Sequence, residues 1–435
     1  MDNTYLTKRN FTVKKETLEW LAIITVFLFS LINVVTLLIS FIAMLLLLKQ
    51  KEVGAIKVLN LITLRTIINP AIGVGIENYQ SLKWLILFGC SIYLLIAFLK
   101  LNKKEINKIK PIIIIMIAFT IYNIIVAFIF SSLPTIAIFK LISYVFIFLG
   151  VLVGVVATYK YMNWIKWMYT LLQILMISSL FTLAVPSISY IRNGYSFQGI
   201  TNQPNMFGII SVLFIAAFLT YVQLNKISKI NFLVVVISIY SLVLLSQSRT
   251  SLISITLILI VFWLFQKISN LKIVLVSSLS LLLLYLYTTE NSVKNFFEDY
   301  LYKGNENNIL ASRTEQMTTI FGNFLQNPWF GNGFAVPKLP YKSYEFSNEF
   351  VIEPGNLIIS VLSYSGIFGF FLFLIFLLKV FVSSNDIKNS LLLLLSTILV
   401  SMGEMIFFSS NNMAIWCYMF IAIYIAGTRK IPESA

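Results

Sequence analysis

One arginine, Arg249, stands in the short polar string Ser246-Gln247-Ser248-Arg249-Thr250, between two apolar runs that leave almost no loop. A guanidinium held at such a boundary costs about 2.5 to 3.5 kcal/mol at full membrane depth and less when it snorkels. It therefore reads either as an interfacial anchor or as the contact for a ligand. A second arginine, Arg313, lies in Ser312-Arg313-Thr314-Glu315, the pattern of a capping box with Ser312 as N-cap. Leu310, Met317, Ile320, Phe321, Phe324 and Leu325 recur at helical spacing and Pro328 closes the run, which predicts an amphipathic helix near 313–325. Arg313 would then open that helix, against the macrodipole, unless an anion sits beside the free amide groups. A diphosphate suits that position.

A third arginine, Arg192, begins a stretch with Gly194, Gly199, Asn202, Pro204 and Asn205 that runs straight into an apolar segment. It reads as a turn-rich connector or as a loop dipping into the membrane. Asn327-Pro328-Trp329-Phe330-Gly331-Asn332-Gly333-Phe334 is punctuated by glycines and followed by Tyr341, Tyr344 and Phe346. Aromatics beside amides suit sugars, and they equally suit plain loop packing. Glu353, in Glu353-Pro354-Gly355-Asn356-Leu357, is either a general base or a solvated loop acid. Lys140 and Glu404 sit inside apolar runs near their ends, where snorkelling competes with a supporting role in a site. The chain has no histidine, which removes imidazole as base, relay or metal ligand. Cys90 and Cys417, both inside apolar runs, make neither a disulfide framework nor a metal cluster. Chemistry here is left to carboxylates, arginines and amides, with no metal and no cofactor expected.

The elements that must position these groups are membrane helices. The 435 residues are 59% hydrophobic and 11% charged, too little polar surface to clothe a soluble core. Runs such as Pro111 to Phe130 satisfy their backbone in hydrocarbon only as helix, and no alternating barrel pattern appears. The expected fold is an all-α polytopic membrane protein, a single membrane domain over 1–435 with about twelve spans. These fall near 21–48, 81–99, 111–130, 136–157, 167–185, 206–222, 231–245, 251–265, 273–287, 357–382, 390–408 and 413–427. The first run is too long for a signal peptide and long enough to hide a hairpin. The net charge of +15 does not point to nucleic acid, because the basic residues flank spans instead of forming one face. Lysines at 100–110, 160–166, 226–229, 267–272, 379–388 and 430 place both termini in the cytoplasm. Segment 49–80 fits worst, since Lys49, Lys51, Lys57 and Arg65 then fall outside, and it is expected to be interfacial or re-entrant. Two extracytoplasmic loops follow, a short one over 186–205 and a long one over 289–355 that carries eight of the chain's 17 acids.

Taken in order, these blocks resemble the O-antigen ligase and polymerase superfamily, polytopic enzymes with a GT-C-like architecture that ligate or polymerise lipid-linked glycans. The resemblance rests on Gly199 to Asn205, Ser246 to Arg249, the loop-opening Arg313, Asn327-Pro328 to Gly331-x-Gly333, and Asn356-Leu357 with Gly366 downstream. It implies that Arg249 and Arg313 bind the diphosphate of an undecaprenyl-linked donor without a metal ion, and Arg192 is a third candidate for that role. Asn202, Pro204, Asn205, Trp329, Gly331, Gly333 and Asn356 would shape the loops and hold glycan. Ligases of this superfamily typically carry a histidine just before the asparagine that Asn356 resembles, and here that residue is Gly355. This departure favours a Wzy-type polymerase of capsule, exopolysaccharide or O-antigen, with Glu353 or Glu349 as the acceptor-activating base. The implied partners are undecaprenyl-diphosphate-linked donor and acceptor, the plasma-membrane bilayer, and the chain-length regulator and flippase of the same pathway. The rivals are ligation of finished glycan to another acceptor, and transport; a carrier should show midplane charges and an internal repeat, and the sequence shows neither.

Overall fold

The computed structural model describes residues 4–76, 79–192, 194–265, 311–336, 355–384, 386–410 and 413–428, with scattered positions between 278 and 298. Among these the regular structure is helical, apart from one isolated antiparallel bridge between Ile68 and Thr201. The helices are α1 Thr4–Phe29, α2 Val34–Leu45, α3 Glu52–Thr66, α4 Gln80–Ile96, α5 Lys103–Phe130, α6 Pro134–Thr158 and α7 Trp164–Phe181. They continue as α8 Pro204–Leu224, α9 Lys229–Ser246, α10 Arg249–Leu264, α11 Ala311–Gln326, α12 Leu357–Ser383, α13 Ile387–Ser401 and α14 Ala414–Ala426.

Among the described residues seven helices, α4 to α9 and α12, are long and apolar enough to cross a bilayer, and Val34–Gln50, α10, α13 and α14 are shorter apolar helices. Helices α4 to α10 and α12 to α14 fall at the expected spans from 81–99 to 251–265 and from 357–382 to 413–427, and the expected span at 273–287 lies outside the described residues. A belt of apolar side chains faces outward, Leu99, Phe128, Phe181 and Ile230 among them, as a hydrocarbon solvent allows and water does not. At the centre, α8 is almost wholly enclosed and every residue of α14 is buried.

Side-chain contacts sort the turns into two ends. At the lysine end Lys100 pairs with Glu52 at 2.5 Å, Lys160 with Glu105 at 2.6 Å and Lys166 with Glu16 at 2.8 Å, while Lys108 donates to the Ala426 carbonyl. The hydrogen bond to Glu105 holds the Lys160 ammonium above the usual lysine pKa. The opposite end gathers turns 30–33, 67–76, 131–133, 185–203, 247–248, 327–336 and 402–410, and is called the loop end here.

The run 21–48 is not one span. Ser30 Oγ donates to the Phe27 carbonyl as α1 stops, and Asn33 and Thr36 cap α2 reciprocally, Asn33 Oδ1 accepting from Thr36 N at 2.9 Å. A hairpin results, and it returns Lys49 and Lys51 to the end where Lys100 meets Glu52. Nor is the next segment interfacial or re-entrant: α3 runs from the lysine end to the loop end, buried along its length. Lys57 is paired with a carboxylate, and Arg65 is held by carbonyls although its Nε is buried without a hydrogen-bond partner. Lys57 Nζ lies 2.5 Å from Glu19 Oε1 and 4.9 Å over the Trp167 ring. Arg65, 2% exposed, donates through Nη2 to the carbonyls of Ser30, at 3.2 Å, and Val74. The span expected over 390–408 also ends early, because α13 stops at Ser401 and the chain turns through Gly403 and Glu404.

Helix α12 is broken at Gly366, whose φ of 62° and ψ of −168° lie outside the helical region. The loop after α11 supplies what the break removes. Asn332 N and Gly333 N donate to the carbonyls of Ser363 and Tyr364 at 3.0 Å, and Ile367 N donates to the Pro328 carbonyl at 2.9 Å. Both chains need glycine at the crossing. A Cβ on Gly331 would stand 2.5 Å from Ser365 N, and one on Gly366 would strike the Trp329 backbone.

Candidate functional site

The turn between α9 and α10 is built by Gln247, whose left-handed φ of 53° reverses the chain with only Ser248 to spare. Ser248 is the N-cap of α10 yet places no side-chain oxygen on its amides; its hydroxyl donates instead to Ser251 Oγ at 2.8 Å. Arg249 is therefore the first helical residue, half-buried at the positive end of a helix dipole. A cation at the positive end of a helix dipole is favourable only with negative charge close by. Gly208 lets α10 approach this closely, since a Cβ there would stand 2.5 Å from both Ser248 Oγ and Ser251 Oγ. Sequence reasoning missed Gly208, which lies four residues after Pro204 in an unbroken apolar run.

The block 199–205 is stitched to the end of α3. Asn69 N donates to the Ile200 carbonyl and Asn202 N to the Ile67 carbonyl, both at 2.9 Å, while Thr201 Oγ1 donates to the Gln198 carbonyl at 2.7 Å. Gly199 has a φ of 58° and packs against Ser179. Pro204 takes the first position of α8, where its missing N–H costs nothing, and the preceding Gln203 supplies no side-chain cap. Asn205 follows, and its Nδ2 donates to Glu404 Oε1 at 2.9 Å. Asn202 Oδ1 is buried and has no hydrogen-bond partner.

Glu404 comes from the far end of the sequence. Its neighbour Gly403 abuts Thr250, where a Cβ would lie 2.6 Å from Oγ1. Three segments thus meet at one place on the loop end. They are the start of α8 with Asn202 and Asn205, the start of α10 with Arg249 to Ser251, and the turn carrying Glu404.

Other candidate residues fall elsewhere. Arg192 is exposed on the 185–203 loop, its N–H donating to Gln198 Oε1 at 3.1 Å. Arg313 is in α11, a helix already under way at Ala311 that packs against α12. Glu349 and Glu353 lie outside the described residues. Asn356 is the N-cap of α12, its Oδ1 accepting from Ile358 N and Ile359 N. Gly331 and Gly333 serve the crossing with α12, and Trp329, half-exposed, leans on Phe368 at 5.7 Å between ring centroids. Lys140 and Glu404 part company: Lys140 Nζ donates to the Ala335 carbonyl at 2.9 Å and pins the loop, while Glu404 joins the site.

The apolar helices and outward-facing apolar belt define a multi-pass helical membrane protein whose polar, arginine-bearing turns gather at the loop end. Residues 232–374, about a third of the chain, match the family model described as O-Antigen ligase, in agreement with the resemblance to the O-antigen ligase and polymerase superfamily. A comparison with curated proteins finds no match. The matched segment holds α10 with Arg249, α11 and the broken helix α12; Asn202, Asn205 and Glu404 lie on either side of it.

Proposed function

We propose that this chain is a metal-independent glycosyltransferase that joins undecaprenyl-diphosphate-linked repeat units into a surface polysaccharide at the outer face of the plasma membrane. The observation that carries the reading is Arg249 at the start of α10, packed beside the start of α8, with no side-chain cap on either helix. Two sets of helix amides and a guanidinium form an anion subsite of the kind that suits a diphosphate. As the bond from the donor's anomeric carbon to the diphosphate oxygen breaks, its electron pair goes to the diphosphate, and prepositioned cations stabilise that growing charge more than the ground state. The acceptor hydroxyl oxygen bonds to the anomeric carbon and gives its proton to a carboxylate, for which Glu353 and Glu349 are the candidates from sequence. Arg313 and Arg192 would extend the diphosphate subsite from the loops. The lysine end faces the cytoplasm in this reading, because lysine-rich turns stay inside.

The test is conversion of lipid-linked repeat units by purified protein. Longer lipid-linked polymer supports the reading. Transfer only to an unrelated acceptor would make it a ligase, the activity in the matched family's description. Movement of intact lipid-linked units between leaflets without new glycosidic bonds would make it a transporter.

A further inference from the structure

We infer that Glu404 is the group that takes the proton from the acceptor hydroxyl; the inference rests on the glycosyl-transfer reading and moves to Glu404 the role for which Glu353 and Glu349 are the candidates from sequence. Among the described residues of 4–265 and 355–428, the carboxylate side chains are Glu16, Glu19, Glu52, Glu105, Asp386 and Glu404. The first four are tied to Lys166, Lys57, Lys100 and Lys160, and Asp386 accepts from Thr428 at the lysine end. Glu404 is the member of this group at the loop end, half-buried, and its Oε1 is oriented by Asn205 Nδ2 at 2.9 Å.

Three features make it suited to the task. The turn that carries it is rigid: Glu404 N donates to the Val400 carbonyl, Ile406 N donates back to the Glu404 carbonyl at 2.8 Å, and the next four residues are buried. Tyr418 OH clamps the same turn through the carbonyls of Phe407 and Ser409. The contact of Gly403 with Thr250 sets Glu404 beside the residue that follows Arg249, so base and leaving-group subsite share one wall. Asn202 Oδ1, three residues before Asn205, is a buried acceptor awaiting a donor, and a sugar hydroxyl supplies one. In the step, the acceptor O–H bond breaks, its proton goes to a Glu404 carboxylate oxygen, and its oxygen forms the new bond to the anomeric carbon as the diphosphate leaves with the electron pair. The proton then passes to water.

The experiment compares wild type, Glu404→Gln, Glu404→Asp and the lysine-end control Glu16→Gln on lipid-linked repeat units extracted from a strain lacking the protein. Glutamine still offers Oε1 to Asn205 but takes no proton, so it separates catalysis from support of the turn. The expected result is turnover about 100- to 1,000-fold lower in Glu404→Gln with KM within about threefold, the acidic limb of the pH–rate profile lost, and thermal unfolding unchanged. Glu404→Asp should regain part of the turnover with a displaced acidic limb, and Glu16→Gln should match wild type. Active wild type with Glu404→Gln within threefold of it overturns the assignment alone, as does full loss in Glu353→Gln or Glu349→Gln beside an active Glu404→Gln. Wild type that forms no glycosidic bond overturns the glycosyl-transfer reading and this role with it. Should Glu404→Gln misfold, an unshifted acidic limb in Glu404→Asp overturns the assignment.

Discussion

Two glycine-and-amide regions share the loop end, and they are put to opposite uses. In the first, residues 327–334 lie across the broken helix α12, and backbone N–H groups of each chain find carbonyls of the other. Ser365 Oγ donates to Asn123 Oδ1 at 2.6 Å and Tyr122 OH to the Ser365 carbonyl at 2.8 Å, so the crossing closes on itself. In the second, where α8 and α10 begin, both helix starts lack a side-chain cap and Asn202 Oδ1 is buried without a partner. A buried orphan acceptor costs about 1 to 3 kcal/mol. That cost is offset where a ligand donor fills the gap, whereas the backbone groups named in the crossing already have partners. Glycine and amide content marks close backbone approach in both regions; the uncapped helix starts and Asn202 Oδ1, one of several buried polar atoms without a partner among the described residues, set the second apart.

Substitutions should break the two regions differently. The largest effect belongs to the joint. Gly366→Ala or Gly331→Ala forces a side chain into backbone at positive φ, and the strain alone is about 1 to 3 kcal/mol before the clash is counted. Folded protein after detergent extraction should fall to a small fraction of wild type on size-exclusion chromatography; normal yield would mean the crossing is looser than described. Next comes Arg249→Ala, which should leave yield and unfolding temperature intact and lower polymer formation by about 100- to 1,000-fold, the scale for losing one transition-state donor. Arg249→Lys should recover only part of this, since lysine is a point charge without the bidentate fork. A full wild-type product ladder from Arg249→Ala would remove the anion subsite.

Smaller effects sharpen the contrast. Asn202→Leu removes an unsatisfied buried carbonyl, so thermal stability should hold or rise while KM for the lipid-linked unit rises about tenfold, the equivalent of one hydrogen bond. A drop in stability with unchanged KM would assign Asn202 to the joint side of the comparison. The least change in turnover is expected for Lys140→Met. It loses the bond to the Ala335 carbonyl and with it about 1 to 2 kcal/mol of stability, read as a lower unfolding temperature with activity close to wild type.

Much of this was legible in the residues themselves. Hydropathy located the apolar segments, and the Ser246–Arg249 string stood out because a charge in so short a turn has nowhere to retreat. Breaks inside apolar runs were not legible. The interruption at Gly366 leaves hydropathy untouched, because its lost helix bonds are replaced by residues some 35 positions earlier in the chain. The same reason hid the split between Lys140 and Glu404, alike as lone charges near span ends, whose partners Ala335 and Asn205 lie about 200 residues away. The hairpin at 30–33 did leave a trace, in the Asn33 and Thr36 cap within an otherwise apolar run.

That hairpin bears on how the chain is made. Helix α3 carries Lys57 and Arg65, each adding about 2.5 to 3.5 kcal/mol to the free energy of leaving the translocon alone. Glu19 neutralises Lys57 from α1, and the carbonyl of Ser30, where the hairpin turns, receives Arg65. The first three helices therefore have reason to pass into lipid as one unit. Ribosome-bound intermediates in which α1 is removed should then leave α3 stranded on the cytoplasmic side, accessible to a thiol-reactive probe placed at Thr66.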